Sequence, residues 1–200
     1  MNDKITRKQR AEQLTRHAIL SSSVVVLQKH GLKNFTMDKV AEEAELAKGS
    51  LYRYFKNKNE LILSAADHCF EPLCEDIRKI FASTISPIEK LEQYVAASYR
   101  HTEQNKKLFY DIKTVLLTQL EKEFNDRTSG YWETIDIISQ TFQDGINQNL
   151  LRPMDTNKVA IFFIDSIDRA MIRRIITTVD DSAEDDAREL LKIYLHGLAL

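Results

Sequence analysis

Between Leu46 and Asn59 the chain carries Lys48, Arg53, Lys56 and Lys58, the hydroxyls of Ser50, Tyr52 and Tyr54, and no acidic residue. Cations and neutral donors with no carboxylate among them suit a polyanion. Lys and Arg neutralise phosphates, and hydroxyls and backbone N–H groups hydrogen-bond to them. Gly49 sits inside this run. Glycine weakens a helix by roughly 1 kcal/mol relative to alanine, so its place here indicates that something approaches the backbone closely. The chemistry expected of these residues is recognition of a phosphate backbone.

Two short helices must position them. Thr36 is a good N-cap for a first helix whose apolar residues Met37, Val40, Ala41 and Ala44 fall on one face. After a turn at Ala44–Ala47, a second helix from Lys48 to Tyr54 offers Leu51, and Phe55 closes a small core with Leu46. This is a helix, a tight turn and a helix. In such motifs the second helix enters the major groove.

The order G-x4-T-M-x2-V-A-x2-A-x3-K-G-S-L-Y-x-Y-F-x-x-K-x-x-L, from Gly31 to Leu61, resembles the N-terminal domain of the TetR family of transcriptional regulators. The resemblance implies an all-α fold of about nine helices: an N-terminal three-helix helix-turn-helix DNA-binding domain over residues 1–56, and a C-terminal helical bundle for ligand binding and dimerisation over 57–200. It also implies binding of double-stranded operator DNA through Thr36, Lys48, Gly49, Ser50, Tyr52, Arg53, Tyr54 and Lys58. Two positions depart from the family's pattern. Glu45 stands where the turn usually carries glycine, and Ala47 where the recognition helix usually starts with Ser or Thr.

Taken whole, a net charge of −2 and a pI near 6.2 would argue against a nucleic-acid binder. The halves differ, however. Residues 1–60 hold twelve Lys and Arg against seven Asp and Glu, a net of +5, which leaves sixteen against twenty-three, a net of −7, for 61–200. Such asymmetry points to nucleic acid. A hydrophobic content of 43% with five glycines and three prolines favours a well-packed helical protein. There is no apolar h-region and no apolar run approaching about 18 residues, so a cytoplasmic, untargeted protein is expected with no membrane partner.

Read in order, the chain predicts a long helix from Lys4 to His30, ended by Gly31, with a basic first half and an inward stripe of Ile19, Ser22, Ser23, Val26 and Leu27. Another long helix starts at Asn57 and contains Pro72, and its first turn offers N–H groups and Lys58 to a phosphate. Ser86-Pro87-Ile88-Glu89 is a capping-box start. It opens a helix to about Gln104, followed by helices over Lys106–Glu123 and Thr128–Gln148. Asp155 caps a helix to Thr178, and Asp181 or Ser182 starts the last one.

These last two helices carry apolar stripes that ask for a partner. By the family resemblance they form a homodimer interface, with Ile164, Met171, Ile172, Ile175, Leu191, Tyr194, Leu195 and Leu198 as its candidates. The plain alternative is that the stripe packs within the chain. The resemblance also implies a small-molecule pocket for a largely apolar effector. Its candidate walls are Cys69, Tyr94, Ser98, Phe109, Lys113, Ser139, Phe142, Phe163 and Ser166, the mixture of apolar residues and few polar groups that such pockets use.

Enzyme motifs are missing: no G-x-G-x-x-G, no G-x4-G-K-[ST], no G-x-S-x-G, no H-E-x-x-H and no CxxC. No catalytic residue, no cofactor and no metal is expected. His68, Cys69, Glu71 and Cys74 lie close in sequence but fit no common zinc spacing. The leading expectation is a ligand-responsive repressor that binds a palindromic operator as a dimer and is released by a small molecule. Glu45 and Ala47 keep an alternative open, a helical ligand- or partner-binding module with weakened DNA binding.

Overall fold

A computed structural model describes the backbone of residues 6–125, 130–177 and 182–198, and their side chains apart from 113–125, 130, 196 and 198. Among the described residues the chain forms eight α-helices, one 3-10 turn and no strand. Its packing groups it into two compact units, one of Met1–Glu71 with Asp111–Leu116, the other of Pro72–Tyr110 with Leu117–Leu200.

In the first unit α1 (Arg7–His30) starts at a capping box, in which Thr6 Oγ1 accepts from Gln9 N and Thr6 N donates to Gln9 Oε1. Gly31 ends it at φ 71°, donating its N–H to Leu27 O at 2.8 Å. A 3-10 turn (Leu32–Asn34) leads to α2 (Met37–Glu43), which Thr36 caps by accepting from Lys39 N at 3.3 Å. The next elements are α3 (Lys48–Leu51) and α4 (Lys58–Ala82), the latter crossing into the second unit at Pro72. Ile19, Val26 and Leu27 of α1 are buried together with Phe35, Val40, Leu51, Phe55, Leu61 and Ala65. That burial holds the run Ser21–Val26 helical against its weak intrinsic propensity.

The turn between α2 and α3 is a Schellman motif. Leu46 N donates to Ala41 O at 2.9 Å and Glu45 N to Glu42 O at 3.1 Å. Its left-handed position is Glu45, at φ 53°, where an L-residue with a Cβ pays roughly 1 kcal/mol or more. Glu45→Gly is therefore expected to stabilise the protein by about 1 kcal/mol, read as a rise in thermal midpoint. A fall would show that the Glu45 side chain makes a compensating contact.

The second unit contains α5 (Pro87–Asn125), α6 (Gly130–Asn147), α7 (Thr156–Ile176) and α8 (Ala183–Leu198). The capping box at Ser86 forms, with Glu89 N donating to Ser86 Oγ and Ser86 N to Glu89 Oε2. The expected break near Gln104 does not, which lowers the helix count from nine to eight. No proline or glycine lies there, and Asn105 donates its side-chain amide to His101 O at 3.0 Å, four residues back, rather than competing for a backbone turn. α6 ends in a left-handed Asn149, φ 56°, with Leu150 N donating to Gly145 O. The core joins Leu91, Tyr94 and Val95 of α5, Ile135, Ile138 and Phe142 of α6, Phe163, Ile164 and Ile167 of α7, and Ala183 and Ala187 of α8. At its edge Arg174, 3% exposed, donates to Asp186 Oδ2 at 2.8 Å and to Glu103 Oε2 at 3.2 Å, tying α7 to α8 and α5.

Candidate nucleic-acid interface

Of the eight residues expected to meet DNA, Lys48, Gly49 and Ser50 belong to α3, and Tyr52, Arg53 and Tyr54 to the turn that follows it. α3 starts at Ala47 with no side-chain cap. It is shorter than expected, ending at Leu51, because Tyr54 N and Phe55 N both donate to Leu51 O at 2.9 Å and fold Tyr52–Tyr54 into a turn. Leu51 and Phe55 are buried and hold this segment against α1 and α2. Tyr52 is 49% exposed, and Lys48, Gly49 and Arg53 are exposed as well. A Cβ at Gly49 would meet nothing within 4 Å. Among the described residues no packing requires glycine there, and the bare backbone faces open space.

Lys48 Nζ lies 2.7 Å from Asp38 Oδ1, linking α3 to α2. The hydrogen bond that Lys48 donates to Asp38, and then the carboxylate's charge, raise the lysine's pKa. Arg16 of α1, which sequence reasoning placed only among a crowd of basic residues, donates to Tyr54 O at 3.4 Å and sits 4.4 Å over the Phe55 ring. It thereby seats the turn after α3. With Gln9, Glu12, Gln13, Arg53 and Tyr54 it lines an open surface cleft. Lys58 Nζ lies 5.8 Å over the Phe35 ring. The first turn of α4 is less available to an anion than expected, since Glu60 N donates to Asn57 Oδ1 and Lys56 N donates to Glu60 Oε2. Thr36 spends its hydroxyl on the α2 cap.

Residues 19–65, which include α2, α3 and the start of α4, match the family model for bacterial regulatory proteins of the tetR family. Over those residues the chain is similar to the tetR family. An uncharacterized HTH-type transcriptional regulator of Haemophilus influenzae is 30% identical over 95 residues, 48% of this chain and 51% of that protein. The chain thus spans about half the length of that relative. The HTH-type transcriptional repressor KstR2 of Mycolicibacterium smegmatis is 26% identical over 191 residues, 92% of this chain and 90% of its own. Among solved structures, the fatty acid degradation regulator FadR from Bacillus halodurans has the same fold, with a TM-score of 0.71 at 19% identity over 90% of this chain and 94% of that one.

The candidate pocket residues fall in both units. Tyr94, Phe142 and Phe163 come together, with ring centroids 6.3 Å apart for Tyr94 and Phe163 and 5.7 Å for Phe142 and Phe163. Ser98 hydrogen-bonds the Tyr94 hydroxyl, and burial, the largest cause, pushes that hydroxyl's pKa up. Phe109 meets the His101 ring at a tilt of 49°, with centroids 5.8 Å apart. Ser139 instead donates to Thr156 Oγ1 at 3.1 Å, and Ser166 Oγ lies 2.7 Å from Tyr194 Oη. Cys69 is buried within the first unit, where desolvation raises its thiol to about 11. The Lys113 side chain lies outside the described residues.

Of the candidate dimer residues, Ile164 is buried in the core of its own unit. Met171, Ile172, Ile175, Leu191, Tyr194 and Leu195 are half-buried, and the Leu198 side chain lies outside the described residues. The apolar residues of α7 and α8 left most open are Phe162 at 55%, Ile176 at 49% and Ile193 at 73%. Periodicity missed them because it finds the widest stripe, which here is the one facing the chain's own core. Among the described residues no helix is long and apolar enough to cross a membrane.

Proposed function

We propose that this chain is a ligand-responsive, DNA-binding transcriptional regulator, a repressor that binds a palindromic operator as a homodimer and is released by a small, largely apolar effector. One observation carries this reading: an acid-free stretch that exposes Lys48, the open backbone at Gly49, Tyr52 and Arg53 on a helix-turn-helix. α3 enters the major groove. Lys48 and Tyr52 face phosphate or base edges, Gly49 and Ser50 bring backbone and hydroxyl to the phosphates, and Arg53, Tyr54, Lys58 and Thr36 flank the contact. The match to the tetR family model and the relative named a repressor support this assignment.

Dimerisation uses α7 and α8, which leave Phe162, Ile176 and Ile193 exposed and Met171, Ile175, Leu191 and Leu195 half-buried. Phe162→Glu with Ile193→Glu is expected to convert a dimer to a monomer in light scattering, and to weaken operator binding without unfolding the chain. Retention of the dimer would remove α7 and α8 from the interface.

The effector binds in the second unit, whose apolar core holds Tyr94, Phe142 and Phe163. It acts through α4, which continues unbroken from the first unit into the second. A coupling of about 1–3 kcal/mol changes DNA affinity by roughly 5- to 150-fold. The direct test is binding to duplex DNA across salt concentrations. A steep fall in affinity with salt is expected, and a binding constant indifferent to salt would contradict the reading.

A further inference from the structure

We propose that His17, His68 and Glu71 form a binding site for one divalent transition-metal ion of the zinc class, within the first unit. His17 comes from α1, and His68 and Glu71 lie at i, i+3 on α4. Each offers one ligand atom, and these atoms lie within 4.8 Å of one another. The His17 and His68 rings meet edge to face, with centroids 4.7 Å apart. Tetrahedral ligation at bond lengths near 2.0–2.1 Å separates ligand atoms by about 3.4 Å, so side-chain torsions alone bring the three to an ion.

The state of His68 points the same way. Its Nε2 lies 3.0 Å from Ser21 Oγ. Its Nδ1 is buried and has no hydrogen-bond partner, although Glu71 Oε2 lies only 2.8 Å away. If Nε2 donates to Ser21, the Nδ1 lone pair faces a carboxylate oxygen and a cation between them balances the pair; in the other tautomer Ser21 Oγ donates to Nε2 and the Nδ1–H is turned toward Glu71. A proton would make an imidazolium–carboxylate pair, but the short approach lies off the hydrogen-bond axis. It would also give no role to His17, whose nitrogen converges on the same point. A metal ion uses all three groups, and it leaves the Nε2–H donating to Ser21, the outer partner that metal-bound imidazoles ordinarily have.

Two imidazoles and one carboxylate select a transition ion over Mg2+ or Ca2+, which take oxygen ligands. His17 and Glu71 are exposed and His68 half-buried, so an ion reaches the site from solvent. Bound, it clamps α1 to α4 in the unit that carries α3, a second input distinct from any effector of the C-terminal unit. The spacing of His68, Cys69, Glu71 and Cys74 could not reveal this, because the third ligand comes from another helix and the cysteines take no part.

The test titrates metal-stripped full-length protein with Zn2+ by calorimetry and with Co2+ by visible absorption. One ion per chain is expected, with d–d bands of a low-symmetry Co2+ site, no thiolate charge-transfer band and a rise in melting temperature. His17→Ala, at an exposed position that keeps the fold, abolishes saturable binding and the thermal shift, and Ser21→Ala weakens binding roughly 10-fold or more. Cys74→Ser and Cys69→Ala leave it unchanged. Absence of saturable binding by the wild type, or its full retention in His17→Ala, would overturn the site and leave only the His68–Glu71 contact within α4.

Discussion

Replacing Lys48 and Tyr52 together by alanine is expected to lower operator affinity roughly 100-fold or more, since each well-made contact to DNA is worth about 1–3 kcal/mol. The effect on folding should be small. Lys48 and Asp38 keep 55% and 66% of their side chains exposed, and exposed ion pairs contribute at most about 1 kcal/mol. Tyr52 is 49% exposed and Leu51 beneath it is untouched. Removing the lysine alone should weaken binding to all sequences and flatten the salt dependence by about one unit of slope. Gel-shift or anisotropy titrations against a selected operator and a random duplex separate these effects. Wild-type affinity in the double variant would remove α3 from the recognition surface, whatever the family.

The second large effect concerns the core of the C-terminal unit. Phe163 is 1% exposed and its ring packs against three others, Tyr194 at 5.0 Å, Phe142 at 5.7 Å and Tyr94 at 6.3 Å. Phe163→Ala removes the shared member of this cluster and should cost about 3–5 kcal/mol. Against a total stability of about 5–15 kcal/mol that is a large fraction, and it corresponds to a fall in melting temperature of roughly 10 °C. Phe163→Leu keeps much of the volume and should lose far less. A melting temperature unchanged in Phe163→Ala would mean that the aromatic cluster does not hold the bundle together.

The helix starts were legible where they depend on neighbours in sequence. Thr36, Ser86 and Asp155 each accept the backbone N–H three residues on, as their residue types require. Gly31 ends α1 at positive φ, and Glu45 does occupy a left-handed turn position. These signals are local, so one sequence carries them. The continuity of α5 was not legible, because a polar stretch such as Gln104–Lys106 reads alike whether it is a helix surface or a loop. The early end of α3 was hidden for a similar reason. Tyr52–Tyr54 keeps helical spacing, but the burial of Leu51 and Phe55 decides how the chain turns.

Among the candidate site residues, Lys48, Tyr52 and Arg53 were chosen from charge and motif and are exposed on one segment. The pocket residues were chosen by composition, and composition cannot tell a core from a pocket wall. Tyr94, Phe142 and Phe163 share a core, whereas Ser139 and Ser166 turn to Thr156 and Tyr194. Arg16 over Phe55 and His17 beside His68 are meetings between distant segments, which periodicity does not report.

The central claim is that α3 reads a specific duplex sequence as part of a symmetric pair. Repeated selection of binding sites from a pool of random-sequence duplexes tests it most directly, with the enriched sequences determined after several rounds. The expected result is a palindrome whose half-sites lie about one helical turn or a multiple apart, depleted when Lys48→Ala, Tyr52→Ala protein is used instead. Enrichment of no sequence above the starting pool, by a protein that is folded and dimeric, would contradict it.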